Sequence, residues 1–184
     1  MRVLDTGLPD VMLIKPDVFQ DRRGVFFELH HFKKYADAGM PGPFVQDNFS
    51  RSVRGTLRGL HYQLRNPQGK LVTVVDGVAF DVVVDIRKGS PTFKQWIGLE
   101  LSADNQLQLY VPPGFAHGFC ALAESVALLY KCTEFYSPDD ERGIIWNDSE
   151  LRITWPVSDP ILSSKDAAYK SLADMMGELP QYHR

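Results

Sequence analysis

Residues 70–86 of the chain are Lys70-Leu71-Val72-Thr73-Val74-Val75-Asp76-Gly77-Val78-Ala79-Phe80-Asp81-Val82-Val83-Val84-Asp85-Ile86. The segments on either side of Asp76-Gly77 are rich in β-branched residues, which favour strands. An Asp-Gly pair between two such segments is among the strongest short-range signals for a hairpin. This stretch therefore predicts two consecutive strands that pair with each other.

Short segments of the same kind continue in both directions along the chain. Strand composition recurs with turn residues between the segments, and helical character is confined to residues 32–38 and 166–176. This pattern predicts an all-β sandwich or barrel of the jelly-roll kind with a few short peripheral helices. The further predicted strands are 11–14, 25–30, 44–50, 56–63, 96–101, 107–111, 115–122 and 126–135. In segment 44–50 polar residues interrupt the apolar ones, so we expect its polar side chains to face a cavity.

The composition indicates one domain. Of the 184 residues, 44% are hydrophobic and 23% are charged, which is ordinary for a globular protein with a substantial core. We therefore expect a single domain over residues 1–184. The C-terminal segment of about 25 residues is too short to bury a core of its own, so we expect an appendage that packs on the barrel.

Charge and hydropathy exclude several partners. A net charge of −3 argues against nucleic acid or an anionic membrane as the main partner. No uncharged apolar run approaches the ~18 residues of a membrane span, and the first residues do not lead into a signal peptide, so we expect a cytoplasmic protein. Cys120 and Cys132 lack metal-ligand spacing and are expected to be buried free thiols rather than a disulfide.

Residues 48–75 form a window without a single Asp or Glu. A local excess of positive charge inside an acidic chain predicts an anionic ligand rather than a general affinity for polyanions. The basic residues of this window are Arg51, Arg54, Arg58, Arg65 and Lys70.

His61 lies in the middle of this window. An imidazole titrates near neutrality and can remove a proton from carbon or oxygen. Arg58 and Lys70 can reach the same cavity if their strands are adjacent, and a fixed ammonium near a base suits a reaction that forms an enolate. The alternatives are a hydrogen-bonded structural histidine and a solvated lysine at a strand end.

Tyr130 and Asp166 complete the acid–base candidates. Tyr130 lies in an apolar strand, where a phenol often belongs to the core, but a tyrosine that faces a histidine across a barrel would be a suitable proton donor. Asp166 is by itself an ordinary acid at the start of a helix. It matters only if the C-terminal segment folds back to contact His61.

A metal site is the competing interpretation of His117. The pattern Pro112-x-Gly114-x-x-His117 matches the second half of a signature found in metal-binding cupins. The first half normally supplies two further histidines and a glutamate, whereas His61 is followed by Tyr62 and Gln63. A set of three or four ligands is not assembled, so we expect no metal.

The sequence resembles the dTDP-4-dehydrorhamnose 3,5-epimerase family, whose members have a cupin fold. The resemblance covers nearly the whole chain. It is carried by Leu57-Arg58-Gly59-Leu60-His61, Gln68-Gly69-Lys70-Leu71-Val72, Gly114-Phe115-Ala116-His117-Gly118-Phe119 and Leu162-Ser163-Ser164-Lys165-Asp166, together with residues 44–48, 80–87 and 89–93.

The resemblance implies an activity and a catalytic set. The substrate would be dTDP-4-dehydro-6-deoxy-D-glucose, epimerised at C3 and C5 in dTDP-L-rhamnose and surface polysaccharide biosynthesis, without a metal or cofactor. His61 would be the base, oriented by Asp166. Tyr130 would be the acid on the opposite face of the sugar, and Lys70 would lie at the C4 oxygen.

The resemblance also implies the substrate-binding residues and a homodimer. In the family an early strand crosses to the partner's site, and here it would carry Arg23 and Glu28. Phe49 departs from the histidine often found at its position, and it is expected to affect only the binding wall. The implied binding residues are Arg23, Phe26 near the thymine, Glu28, Gln46, Asp47, Asn48, Arg58, His117, Glu141 and Lys165.

Three other functions stay open at this stage. A related epimerase could act at only one carbon or on another nucleotide sugar. A non-catalytic cupin could bind a sugar nucleotide, although a binder has no use for an acid and a base on opposite faces. A metal-dependent cupin oxygenase or isomerase is the third.

Overall fold

The computed structural model describes residues 1–183, which form thirteen β-strands, two short α-helices and one 3₁₀ helix. The helices are α1 (Phe32–Asp37), α2 (Ser164–Ala167) and the 3₁₀ helix Met176–Glu178. The strands are β1 (Arg2–Leu4), β2 (Met12–Lys15), β3 (Phe19–Asp21), β4 (Gly24–Phe26), β5 (Gln46–Val53), β6 (Leu57–Gln63), β7 (Lys70–Asp76), β8 (Val78–Asp85), β9 (Trp96–Ser102), β10 (Gln108–Val111), β11 (Phe115–Ala121), β12 (Ser125–Cys132) and β13 (Glu141–Gly143).

Two antiparallel sheets face each other. The first has the order β1-β2-β10-β7-β12-β5, and the second has the order β13-β6-β11-β8-β9. Apolar side chains from the inner faces of both sheets form one buried cluster, which includes Val72, Leu109, Leu128, Val83 and Phe119. This is the jelly roll that the strand pattern predicted, and it agrees with the cupin fold that the resemblance implied.

The predicted hairpin between residues 70–75 and 78–86 is wrong, although both strands form. β7 pairs with β10 and β12, whereas β8 pairs with β9 and β11 in the other sheet. Gly77, with φ of 77°, turns the chain from one sheet to the other, and a Cβ there would lie 2.2 Å from the carbonyl oxygen of Ser125. Asp76-Gly77 does form a turn, as predicted, but β7 and β8 do not pair because both edges of each strand are occupied by other strands.

Several predicted boundaries change in the structure. α1 confirms the early helix, while the predicted strand 126–135 ends at Cys132. The predicted helical segment 166–176 is reduced to α2 and the 3₁₀ helix that begins at Met176. The short edge strands β1 and β13 were not predicted, because three residues carry too little periodicity to detect.

The C-terminal segment lies against the outer face of the second sheet. Leu172, Met175 and Leu179 are buried in a cluster with Leu57 and Ile144. No helix among residues 1–183 is long and apolar enough to cross a membrane. The two cysteines are unpaired and buried, as expected.

Candidate active site

A cavity of about 360 Å³ opens between the two sheets, at the end of the sandwich that the apolar core leaves unfilled. It collects most of the residues that the sequence singled out. Of the predicted catalytic and binding residues, those that line it are Gln46, Asn48, Arg58, His61, Lys70, His117, Tyr130, Glu141 and Lys165.

Strand alternation in β5 decides which side chains reach the cavity. Gln46, Asn48 and Ser50 line it, which confirms the expected polar wall. Asp47 lies on the other face, where its carboxylate accepts hydrogen bonds of 2.7 and 2.8 Å from Lys131. Phe49 is also on that outer face and is 58% exposed. The structure therefore brings neither Asp47 nor Phe49 into the cavity.

Two glycines allow β6 and β11 to approach closely enough to bring two histidines side by side. A Cβ on Gly59, which has φ of 129°, would lie 2.5 Å from Cα of Gly118 and 2.9 Å from the carbonyl oxygen of His117. No other residue type fits there without displacing the backbone. The resulting register places His61 directly opposite His117.

His61 and Asp166 form a close pair. Nε2 of His61 lies 2.5 Å from Oδ1 of Asp166, a residue 105 positions away and only 3% exposed. The Ser163 hydroxyl donates to Asp166 at 2.9 Å and accepts from its backbone N–H at 3.0 Å, which fixes the carboxylate at the start of α2. Burial is the largest single effect and would raise the pKa of Asp166, but the hydrogen bond and charge of His61, the Ser163 hydroxyl and the charge of Lys165 together hold it below its usual value. With Nε2 engaged, Nδ1 is the nitrogen left to act on a substrate.

Lys70 enters the cavity from the first sheet. Burial lowers the pKa of its ammonium, and this effect is opposed by Cys132, Glu141 and Asp81. Among the hydrogen bonds and ion pairs of residues 1–183, none involves the Lys70 ammonium. An ammonium without a protein partner in a cavity can stabilise negative charge that develops on a bound ligand.

Tyr130 reaches the cavity from β12, which belongs to the first sheet, whereas His61 belongs to the second. The two side chains therefore approach a bound ligand from opposite walls. Burial is the main cause that raises the pKa of the Tyr130 phenol, so the group carries its proton at neutral pH.

A series of hydrogen-bonded side chains closes one side of the cavity. The carboxylate of Glu141 accepts hydrogen bonds from Nζ of Lys165 at 2.6 Å and from the Tyr136 hydroxyl at 2.8 Å. Burial would raise the pKa of Glu141, but these two bonds and the nearby His61 lower it. These hydrogen bonds link β13 to α2, and α2 carries both Lys165 and Asp166.

His117 has a carboxylate partner that the sequence did not reveal. Its Nε2 lies 2.8 Å from Oδ1 of Asp81, which is fully buried. The sequence did contain a signal for this pair, because an Asp in the middle of the apolar segment 78–86 is expected to be buried and therefore to need a polar partner. Within residues 1–183, no cluster of three or more His, Cys, Asp or Glu side chains is arranged to hold a metal ion.

Three predicted binding residues lie outside this cavity, on or just after the β3–β4 hairpin. Arg23 is 85% exposed in its side chain and pairs with Asp21 at 2.6 Å. Glu28 pairs with Lys34 at 2.5 Å, and Phe26 is 68% exposed. A role for these residues in a partner's site stays a prediction.

The fold and the site together define a class: a cupin whose cavity holds a histidine–carboxylate pair on one wall and a phenol with an ammonium on the other. The family model of dTDP-4-dehydrorhamnose 3,5-epimerase matches residues 5–174. The chain belongs to this family.

Three relatives are similar over 90% or more of their length. The chain is 54% identical to dTDP-4-dehydrorhamnose 3,5-epimerase of Pseudomonas aeruginosa strain PAO1, over 95% of this chain and 97% of the relative. The dTDP-6-deoxy-D-glucose-3,5-epimerase of Legionella pneumophila Philadelphia 1, solved in complex with dTDP-4-keto-L-rhamnose, superimposes with a TM-score of 0.96 at 46% identity, covering 100% of this chain and 99% of that one. A dTDP-4-dehydrorhamnose 3-epimerase of Streptomyces niveus is 41% identical over 99% of this chain and 90% of the relative.

Proposed function

We propose that this protein epimerises C3 and C5 of dTDP-4-dehydro-6-deoxy-D-glucose, giving dTDP-4-dehydro-L-rhamnose. The observation that carries the proposal is the placement of His61 and Tyr130 on opposite walls of one cavity. Inversion of a carbon needs removal of a proton from one face and its return to the other. Membership of the epimerase family supports the same activity.

The proposed reaction uses the C4 ketone twice. Both C3 and C5 are adjacent to this carbonyl, so each C–H bond is acidified by the same group. His61 removes the proton, the electron pair moves onto the C4 oxygen, and the Lys70 ammonium stabilises the resulting enolate. Tyr130 then donates a proton to the opposite face of the carbon. Asp166 keeps the imidazole oriented and stabilises its protonated form.

The nucleotide end of the substrate explains the basic residues at the cavity. Arg58 is exposed, and its Nε donates to the Ser52 hydroxyl at 3.1 Å, which leaves the rest of the guanidinium available. Guanidinium and ammonium groups suit the diphosphate of such a substrate. We assign this role to Arg58 and Lys165, and polar contacts to Gln46, Asn48 and His117.

The homodimer is part of the proposal. Phe19 and Phe26 are 65% and 68% exposed on the separate β3–β4 hairpin, whose strand residues are all exposed. A second copy would cover these rings and would receive Arg23 and Glu28 at its cavity. Mixed subunits test this arrangement: Arg23→Ala and His61→Ala chains, each inactive alone, should regain activity when co-assembled, since one site of the mixed dimer is then intact. No recovery in dimers shown to be mixed would contradict a shared site.

The main test follows the carbon acids directly. The protein is incubated with substrate in D₂O, and NMR follows deuterium at C3 and C5. We expect exchange at both positions, and His61→Ala should reduce it by ~10²–10⁴-fold while nucleotide binding persists. His183→Ala, at an exposed position outside the cavity, is the matched control and should behave like the wild type.

The same experiment separates the alternatives. Exchange at one carbon only would identify a single-position epimerase, an activity represented by the Streptomyces niveus relative. No exchange despite dTDP binding would identify a non-catalytic binder. The cytoplasmic location stays a prediction, and fractionation of the source cells would test it.

A further inference from the structure

Asp81 is a buried carboxylate that the proposed reaction does not use. It lies on β8 and faces the interior between the sheets, on the same side as Ala79 and Val83, which belong to the inner core cluster. Its Oδ1 lies 2.8 Å from Nε2 of His117, while no hydrogen-bond partner for its Oδ2 is found within residues 1–183. A carboxylate without solvent and with one partner is costly to bury, so its charge must be compensated nearby.

The side chain of Lys70 enters the interior from the other sheet and lines the cavity together with His117. Both side chains point into the space between the sheets, and the charge of Asp81 acts on the Lys70 ammonium. The Lys70 ammonium in turn has no hydrogen bond or ion pair to another side chain in the described part of the chain. Asp81 therefore has one hydrogen-bond partner, His117, and its charge is one of three, after Cys132 and Glu141, that oppose the lowering of the Lys70 pKa.

We propose that Asp81 is a positioning residue of this active site: it orients His117 and contributes buried negative charge on the wall opposite the Lys70 ammonium. This inference rests on the proposed function, in which Lys70 stabilises the enolate. The contact to Nε2 of His117 requires a proton on that nitrogen and directs Nδ1 toward the ligand. The two histidines of the cavity are therefore held in the same way, His61 by Asp166 and His117 by Asp81.

Loss of the Asp81 charge would change the pH dependence of the reaction. Burial lowers the pKa of Lys70, and Asp81 is one of the groups that oppose this lowering. Removal of the negative charge would lower the pKa further, so the ammonium would be lost at a lower pH. The titratable groups that face Lys70 are Cys132 from β12, Glu141 from β13 and Asp81 from β8, and the cavity also contains His61, His117 and Tyr130.

Two substitutions separate the two roles of Asp81. Asp81→Asn retains an oxygen for Nε2 of His117 and removes the charge, whereas Asp81→Val removes both in a side chain suited to the apolar interior. Asp85→Asn is the control, because Asp85 is an equally buried carboxylate of β8 whose partners Arg87, Ser90 and Thr92 lie outside the cavity.

The rate of deuterium incorporation is measured from pH 6 to 10. Thermal unfolding at each pH shows that the variant is folded there. For Asp81→Asn we expect kcat to fall about 10-fold to 100-fold, and the alkaline limb of the profile to move to lower pH. Asp81→Val should show a further loss. Asp85→Asn should lower the melting temperature and leave the alkaline limb in place. An Asp81→Asn profile that is lower but unshifted would overturn the assignment of the charge to Lys70.

A second measurement does not depend on turnover. Long-range ¹H–¹⁵N NMR of the histidine side chains in the ligand-free protein reports which ring nitrogen of His117 carries a proton. We expect Nε2 to be protonated in the wild type and in Asp81→Asn, and both tautomers to be populated in Asp81→Val. The same spectrum in all three proteins would overturn the orienting role, whether or not the wild type proves to be an epimerase.

Discussion

Gly143 offers a test of how tightly the base is held. It lies on β13 directly opposite His61, and a Cβ there would lie 2.3 Å from Cε2 and Cζ of Tyr169. The Tyr169 ring occupies the space that the missing side chain leaves. Its centroid is 5.6 Å from that of the His61 ring, with the planes 71° apart. Gly143→Ala therefore pushes the tyrosine ring against the base.

The structure sets the size of the effect. The new Cβ would be about 1 Å short of ordinary van der Waals contact. The backbone next to Gly143 cannot easily yield, because Ile144 exchanges hydrogen bonds of 3.0 and 3.2 Å with Leu60 and Ile145 N–H donates to Lys170 at 2.9 Å. Overpacking of this kind costs about 1–3 kcal/mol, or roughly 2–12 °C in Tm for a chain of this size. Displacement of a base by about 1 Å can cost up to 10²-fold in rate.

The assay combines thermal unfolding with deuterium exchange at C3 and C5. Gly177→Ala is the matched control, since nothing lies within 4 Å of a Cβ at that position. In a Tyr169→Ala background the added methyl enters vacated space, so Gly143→Ala should there cost little, and the two effects should be strongly non-additive. A Gly143→Ala variant that matches the wild type, or that is equally harmful with and without the Tyr169 ring, would exclude the ring contact as the cause.

Three further outcomes follow from the site and the fold. Tyr130→Phe should reduce epimer formation far more than deuterium uptake, because His61 can still exchange a proton on one face, and equal loss of both rates in a paired time course would exclude Tyr130 as the acid. Arg58→Ala should raise KM with little change in kcat, since a diphosphate contact is present in both ground and transition states; a collapse of kcat alone would place Arg58 at the sugar ring. Burial would raise the pKa of Asp140, but it is lowered by hydrogen bonds from the backbone N–H groups of Arg65 and Asn66 and from the Arg65 side chain. The ionised Asp140 therefore stabilises the fold above the ordinary pKa of ~3.9, and this stabilisation is lost as the pH falls through the lower pKa of the folded state. Asp140→Asn should therefore cost about 2–3 kcal/mol in urea unfolding at pH 7 and progressively less as the pH falls below ~3.9, and a cost that does not depend on pH would contradict this explanation.

Local signals in the sequence determined the strands and one wall of the site. β-Branched composition located β7 and β8, and the alternation in segment 44–50 correctly predicted that Gln46 and Asn48 face a cavity. These properties depend on residues one or two positions apart, so a single segment is enough to encode them. The resemblance to the epimerase family also rested on short motifs, and it identified the activity before any pairing of strands was known.

Only the tertiary structure decided which strands pair and which carboxylate each histidine receives. The turn at Gly77 predicts a reversal of the chain equally well within one sheet or between two, and the competition of β9, β10, β11 and β12 for the strand edges settles the outcome. The contact between His61 and Asp166 spans 105 residues, and that between His117 and Asp81 spans 36. Such contacts arise from the closure of the two sheets and from the C-terminal segment that packs on them, and no local pattern encodes a distance between segments that meet only in the folded chain.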